Sequence, residues 1–116
     1  MEQSGFISTQ NKGFRMHFNN GFEISVQWGP GNYCERRHAK FEDQEKSRVW
    51  ESCSAEIAVF NTNEAKMLAE KGMISLNGED VVSGWLSADQ VAKAISVVQS
   101  AKTVNEIQTK LKALKI

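Results

Sequence analysis

"GFRMHFNNGFEISVQW", residues 13–28, is the stretch whose reading decides the fold. Phe14, Met16 and Phe18 alternate with polar residues in its first half, and Phe22, Ile24, Val26 and Trp28 do so in its second. That period of two belongs to a pair of half-buried strands joined by a turn. The turn sets the register. A two-residue Asn20-Gly21 turn would place Phe18 opposite Glu23 and send the apolar residues of the two arms to opposite faces. A three-residue loop, Asn19-Asn20-Gly21 with Gly21 left-handed, instead places Phe18 opposite Phe22, Met16 opposite Ile24 and Phe14 opposite Val26. The second register concentrates the apolar side chains on one face, and it is the one expected. The other face then carries Arg15, His17, Glu23, Ser25 and Gln27, with His17 directly across from Glu23.

Downstream of this hairpin, Gly29-Pro30-Gly31-Asn32 ends the second arm, because proline lacks the amide hydrogen a ladder needs. Residues 35–47 follow with charges of both signs and almost no apolar content, Arg36, Arg37, His38 and Lys40 first and Glu42, Asp43 and Glu45 after them. A loop of this length is either a functional segment or a solvated connection. Alternation resumes over residues 48–61, with Cys53, Ala55, Ile57 and Val59 on one face and Trp50, Ser52, Ser54, Glu56, Ala58 and Phe60 on the other, so a third strand is expected there, with Cys53 in the core and Cys34 in a turn. A short helix is expected over 62–71 with Gly72 as its terminator. Residues 73–76 and 81–82 flank Asn77-Gly78-Glu79-Asp80 as short strands or an irregular crossing.

Ser87-Ala88-Asp89-Gln90 reads as a capping box that opens a helix over about 88–100, with Val91, Ala94, Ile95 and Val98 on one stripe. Thr103-Val104-Asn105-Glu106 opens a second over about 104–115, with Ile107, Leu111 and Leu114 aligned and Lys110, Lys112 and Lys115 near the end, where cations suit the helix dipole. Strands followed by helices imply an α+β fold: an antiparallel sheet, built from the hairpin 14–28 and the strand 48–61, packed by two C-terminal helices in one domain spanning 1–116.

The chain has 116 residues, with 14 Lys plus Arg balancing 14 Asp plus Glu. A zero formal charge gives no general drive for nucleic-acid binding and leaves copies free to associate. There is no apolar run of spanning length and no basic-then-apolar segment at residues 1–10, so the expectation is a cytoplasmic protein that neither binds nor crosses a membrane. The two cysteines are expected to be free thiols.

Three kinds of chemistry can be weighed. Cys34, His38 and Cys53 are zinc-type ligands, but they lack a fourth partner and compact spacing, so no metal or other cofactor is expected. Arg36 and Arg37 would favour a thiolate at Cys34, yet no orienting motif accompanies it, and an enzyme using Cys34 is the minor reading. Gly29-Pro30-Gly31 is a turn rather than a phosphate cradle, because no helix follows to aim its amides.

The constellation with most chemical content is aromatic plus arginine. Arg36, Arg37 and Arg48 can hold phosphate, Tyr33 and Trp50 can stack on a base, and Asn32 can hydrogen-bond base or ribose. The plainer reading has Trp50 shielding a sheet edge and the arginines paired with Glu42, Asp43 and Glu45.

"NNGFEISVQWGPGNYC" (19–34), "AEIAVF" (55–60) and "GWLSADQVAKAI" (84–95) together resemble a type of short protein found in tailed phages and prophages. Among phage proteins of known role, the order of hairpin, charged loop and C-terminal helices is most similar to small anti-defence sponges of the Thoeris anti-defence family. No ligand residue carries over from that family. The resemblance implies a non-enzymatic homo-oligomer, in the host cytoplasm, that sequesters a small anionic nucleotide signal. The alternative is an inhibitor or adaptor that acts on a host protein through a sheet edge or the helix 104–115.

Overall fold

The computed structural model describes residues 3–63, 72–78 and 80–116. Five strands form one antiparallel meander in the order β1 (Gly5–Ser8), β2 (Gly13–His17), β3 (Phe22–Gln27), β4 (Ala55–Asn61) and β5 (Val82–Leu86). A short helix α1 (Phe41–Lys46) lies between β3 and β4, and α2 (Ala88–Ser100) and α3 (Val104–Ala113) close the chain. This is the α+β architecture read from the sequence.

The hairpin has the register set by the three-residue loop: Phe14 faces Val26, Met16 faces Ile24 and His17 faces Glu23. The Phe18 amide donates to the Phe22 carbonyl, and Gly21 has φ +87°, the left-handed conformation this loop requires. On β4 the apolar face continues through Ile57 and Val59, which pair with Val26 and Ile24. The helix α2 packs on β3 and β4 through Val91, Ala94 and Val98, and α3 packs on α2, bringing Ile107 and Leu111 into the same core. Ile24, Ile57, Val59, Val98, Ile107 and Leu111 are sealed from solvent, each contributing on the order of 1.5–3 kcal/mol of burial. Trp28 meets Phe14 edge-on, with ring centroids 6.2 Å apart, at the open end of this core.

Both expected N-caps form, but only the first is a full capping box. Ser87 accepts from the Gln90 amide while the Gln90 side chain accepts from the Ser87 amide. Thr103 accepts from the Glu106 amide, but the Glu106 carboxylate reaches back one residue further, to the Lys102 amide. The last helix ends at Ala113, short of residue 115, and Lys115 is left-handed beyond it.

Four expectations are corrected. The third strand begins at Ala55, not at residue 48: Ser52 Oγ donates to the Ser54 carbonyl and accepts from the Ser54 amide, so a local turn takes the place of the ladder. Cys53 consequently stands exposed outside the core, and Cys34 is the buried thiol, 3.7 Å from the Gly29 carbonyl. The charged stretch 35–47 contains α1, held by a buried Gln44 whose amide donates to the Gln10 carbonyl on the β1–β2 turn, while Asn11 donates back to the Gln44 and Ser47 carbonyls. An additional strand, β1, pairs with β2 at the edge of the sheet. Most of the helix expected over 62–71 falls on residues outside those described. Met73 forms an isolated bridge to Phe60, and Asn77 bridges Asp80 across a tight turn.

Candidate functional site

The segment between β3 and β4 folds back across the end of the sheet and is pinned there. Asn32 Oδ1 accepts from the Gly29 amide, which closes the glycine-proline turn, and its Nδ2 donates to Glu56 on β4. The other oxygen of the Glu56 carboxylate accepts from the Tyr33 amide at 2.8 Å. The next contact is with β5: the Trp85 amide donates to the Tyr33 carbonyl at 2.8 Å. Gly84 makes this approach possible, since a side chain there would come within 2.8 Å of the Tyr33 carbonyl oxygen.

Each of the two adjacent arginines lies over a different ring. The Arg37 guanidinium sits 4.2 Å from the Tyr33 ring centroid, and that of Arg36 sits 5.1 Å from the Trp50 ring. Such stacking fixes the plane of a guanidinium and leaves its edge nitrogens able to donate. Arg36 uses Nε on the Glu51 carbonyl and lies 3.8 Å from Glu35. Trp50 is locked by a reciprocal pair, its Nε1 donating to the Trp28 carbonyl while Trp28 Nε1 donates to the Trp50 carbonyl. Among the described residues, no ion pair joins Arg36, Arg37 or Arg48 to Glu42, Asp43 or Glu45.

The six residues singled out in the sequence therefore separate into groups. Arg37 and Tyr33 form one unit and Arg36 and Trp50 another, Arg48 is exposed nearby in the chain, and Asn32 has both ends of its amide committed to holding the loop.

Tyr33 also lines a concavity of about 330 Å³ on β5 and the turn before it, with Asn77, Asp80, Val82, Ser83, Gly84 and Trp85 as the other walls. Tyr33 and Trp85 are exposed there. Trp85 has φ +58°, a left-handed conformation that a bulky residue adopts only when its surroundings impose it, and such positions cluster at ligand sites. One residue of β4, Glu56, stands against two of β5, Gly84 and Trp85, so the β-bulge lies on β5 at this position, and the Trp85 amide turns out of the ladder to the Tyr33 carbonyl. Sequence reasoning missed Asn77, Asp80 and Trp85; the turn residues Asn77-Gly78 and a tryptophan directly after a glycine, Gly84-Trp85, were the signals present.

A second cavity, of about 300 Å³, opens between α2 and the end of the sheet, against Phe14, Val26, Trp28, Leu86, Val91 and Ile95. No charged side chain lines it, and the Trp28 Nε1 is already bonded, so it offers contact without orientation. Cys53 stands at its rim. The Glu35 carboxylate beside Cys53 pushes that thiol up from its ordinary value, and hydrogen bonds from the Cys53 thiol and amide, with Arg36 adding, hold the Glu35 carboxyl below its own. Burial pushes the Cys34 thiol up as well. Neither thiol has the lowered pKa of an activated nucleophile. Among the described residues, no group of three or more His, Cys, Asp or Glu side chains stands close enough to hold a metal ion, so Cys34, His38 and Cys53 do not converge. Among those same residues no helix is long and apolar enough to cross a membrane.

Compared with protein-family models, with curated proteins and with solved structures, the chain matches none.

Proposed function

We propose that this chain is a non-catalytic binding protein that sequesters a small anionic nucleotide, working as a homo-oligomer in the cytoplasm of a phage host. The observation that carries the reading is the Arg37–Tyr33 stack: a guanidinium oriented by an aromatic ring, with no carboxylate paired to it among the described residues, at the rim of a concavity with two exposed aromatics. Arg37 supplies the phosphate contact, with Arg48 and the free edge of Arg36 as further cations on the same segment. Tyr33 and Trp85 supply ring faces for a base. Trp50, placed against Trp28, serves to position Arg36. The likeness of the sequence to anti-defence sponges supports the same reading.

The test is native mass spectrometry of the purified protein offered cyclic dinucleotides, cyclic trinucleotides and cyclic ADP-ribose isomers. The expected result is one ligand retained per site, released unmodified on heating, with R37A weakening it by about ten- to a hundredfold, the loss of one charge-assisted contact. Absence of binding across the panel, turnover of the ligand, or unchanged affinity in R37A would overturn the proposal.

The alternative, capture of a host protein, has one observation in its favour. The edge strand β1 carries no charge, proline or bulge, and its Phe6 is 77% exposed. The helix version of that alternative is weaker, because Ile107 and Leu111 are spent inside the domain's own core. A host protein retained by the wild type and lost in F6K, with no nucleotide bound, would favour the edge.

A further inference from the structure

The concavity on β5 has an acidic residue in its lining, where a nucleotide-binding surface would be expected to hold cations. Asp80 lines it, and no hydrogen bond or ion pair engages its carboxylate among the described residues. Its backbone is fixed: its carbonyl accepts from the Leu76 and Asn77 amides at 2.7 and 3.3 Å, and its amide donates to the Asn77 carbonyl at 3.1 Å, closing a tight turn in which Gly78 is left-handed. A carboxylate at this exposed position on a fixed backbone repels phosphate and accepts hydrogen bonds without donating any. The part of a ligand that enters is therefore not its phosphate but a group rich in adjacent N–H donors.

Resting on the nucleotide reading above, we infer that the concavity is a guanine site. Of the common bases, guanine alone presents two neighbouring donors, N1–H and the N2 amine, on its pairing edge, and these match the two oxygens of a carboxylate. Adenine and cytosine set a ring acceptor beside their amine, and uracil flanks its single N–H with two carbonyls, so each brings an acceptor against Asp80. Tyr33 and Trp85 supply ring surface for the purine, Asn77 and Ser83 supply polar contacts beside it, and Arg37 on Tyr33 takes the phosphate. A volume of about 330 Å³ lies at the small end of ligand pockets, enough for a base with part of its sugar.

The experiment titrates the full-length protein with 5′-GMP, 5′-IMP, 5′-AMP and ribose 5-phosphate, read by calorimetry and by quenching of tryptophan fluorescence. GMP is expected to bind about tenfold more tightly than AMP, with IMP, which lacks the N2 amine, in between. D80N, which offers a donor and an acceptor in place of two acceptors, is expected to bring GMP and AMP within about threefold of each other. Because the wild-type comparison of GMP with IMP needs no variant, a D80N protein that fails to fold leaves the inference falsifiable. AMP equal to GMP, IMP equal to GMP, or a preference unchanged in D80N would overturn the guanine assignment. Ribose 5-phosphate binding as well as GMP would overturn it too while leaving the anion site standing, and no binding by any of the four would overturn both.

Discussion

Asn20 is a turn residue by sequence and a helix cap by structure, and its replacement tests how the hairpin and the helical layer are joined. Its Nδ2 donates to the carbonyls of Val98, Gln99 and Ala101 at 2.9, 3.1 and 2.9 Å, and its Oδ1 accepts from the Phe22 amide at 3.0 Å. The last turn of α2 has no basic residue, so this one amide from the β2–β3 loop satisfies carbonyls that a helix end otherwise leaves to solvent. N20A removes about three net hydrogen bonds at roughly 0.5–1.5 kcal/mol each, and water recovers part of the loss at the exposed Gln99, so the expected cost is about 2 kcal/mol. For a chain of this size that corresponds to a fall in Tm of roughly 8 °C. N20D keeps the shape but aims a carboxylate at three carbonyls on the negative end of the helix dipole, so at neutral pH it is expected to be less stable than N20A. The repulsion raises the folded-state pKa of that carboxyl above its unfolded value. The deficit is therefore present above the folded value and shrinks as the pH falls through it. Urea unfolding followed by tryptophan fluorescence and far-UV circular dichroism measures both, with N19A as the exposed neighbour expected to stay within about 0.5 kcal/mol of wild type. An N20A protein within that same margin, or an N20D protein as stable as wild type, would refute the capping argument.

Replacing the buried carboxylate in E23Q strips Arg15 of its ion-pair partner and His17 of a neighbour at 3.5 Å, and is expected to cost about 3 kcal/mol in urea unfolding. In G84A the new methyl would press on the Tyr33 backbone, so the variant should keep the helical circular dichroism of α2 and α3 while losing nucleotide affinity along with R37A. Alkylation of the native protein should modify Cys53 slowly and Cys34 not at all, both reacting in denaturant, since one thiol is exposed, the other buried, and both have raised pKa values. Hydrogen bonds from the Lys110 side chain and the Lys102 amide hold the Glu106 carboxyl below its ordinary value, so its stabilisation is complete above the unfolded pKa and lost as the pH falls through the lowered folded one. E106Q should thus be less stable than wild type at neutral pH and equal to it in acid, as thermal melts across that range would show.

The hairpin and the two long helices were legible because each is specified locally. Alternation plus a glycine-ended loop fixes the register around Phe18 and Phe22, and Ser87 and Thr103 mark helix starts that need no tertiary help. What escaped is what depends on partners distant in sequence. Four residues suffice for β1 only because β2 is already in place, and its Phe6 points out to solvent. The short helix α1 has an exposed Phe41 and a buried Gln44, an inversion of the amphipathic pattern that comes from Gln44 bonding to the β1–β2 turn. At residues 48–54 the alternation persists in the sequence, but the Ser52–Ser54 turn and the Trp28–Trp50 exchange override it, which also inverts the expected burial of the two cysteines. Of the candidate site, the arginine and aromatic content could be read in advance. Which ring each arginine takes could not be, nor that Asp80 and Trp85 join Tyr33, because those depend on Gly84 admitting the loop to β5.

The attachment of the 29–54 segment bears directly on how a site built from it would work. Its chain is tied to β4 through Glu56, to β5 through the Tyr33 carbonyl, to the β1–β2 turn through Gln44 and to the end of β3 through the Trp28–Trp50 exchange. These ties come from four different strands or turns, so the segment cannot lift away without breaking several at once. Long charged loops usually pay their ordering entropy when the ligand arrives, which lowers affinity. Here that entropy is lost during folding, through the hydrogen bonds that tie the segment to the sheet. A guanidinium already placed over the Tyr33 ring would meet the phosphate of the proposed ligand with its position set. On the proposed sequestering function, affinity gained by such preorganisation serves better than a closing lid, because a ligand that is held and not transformed requires no opening step.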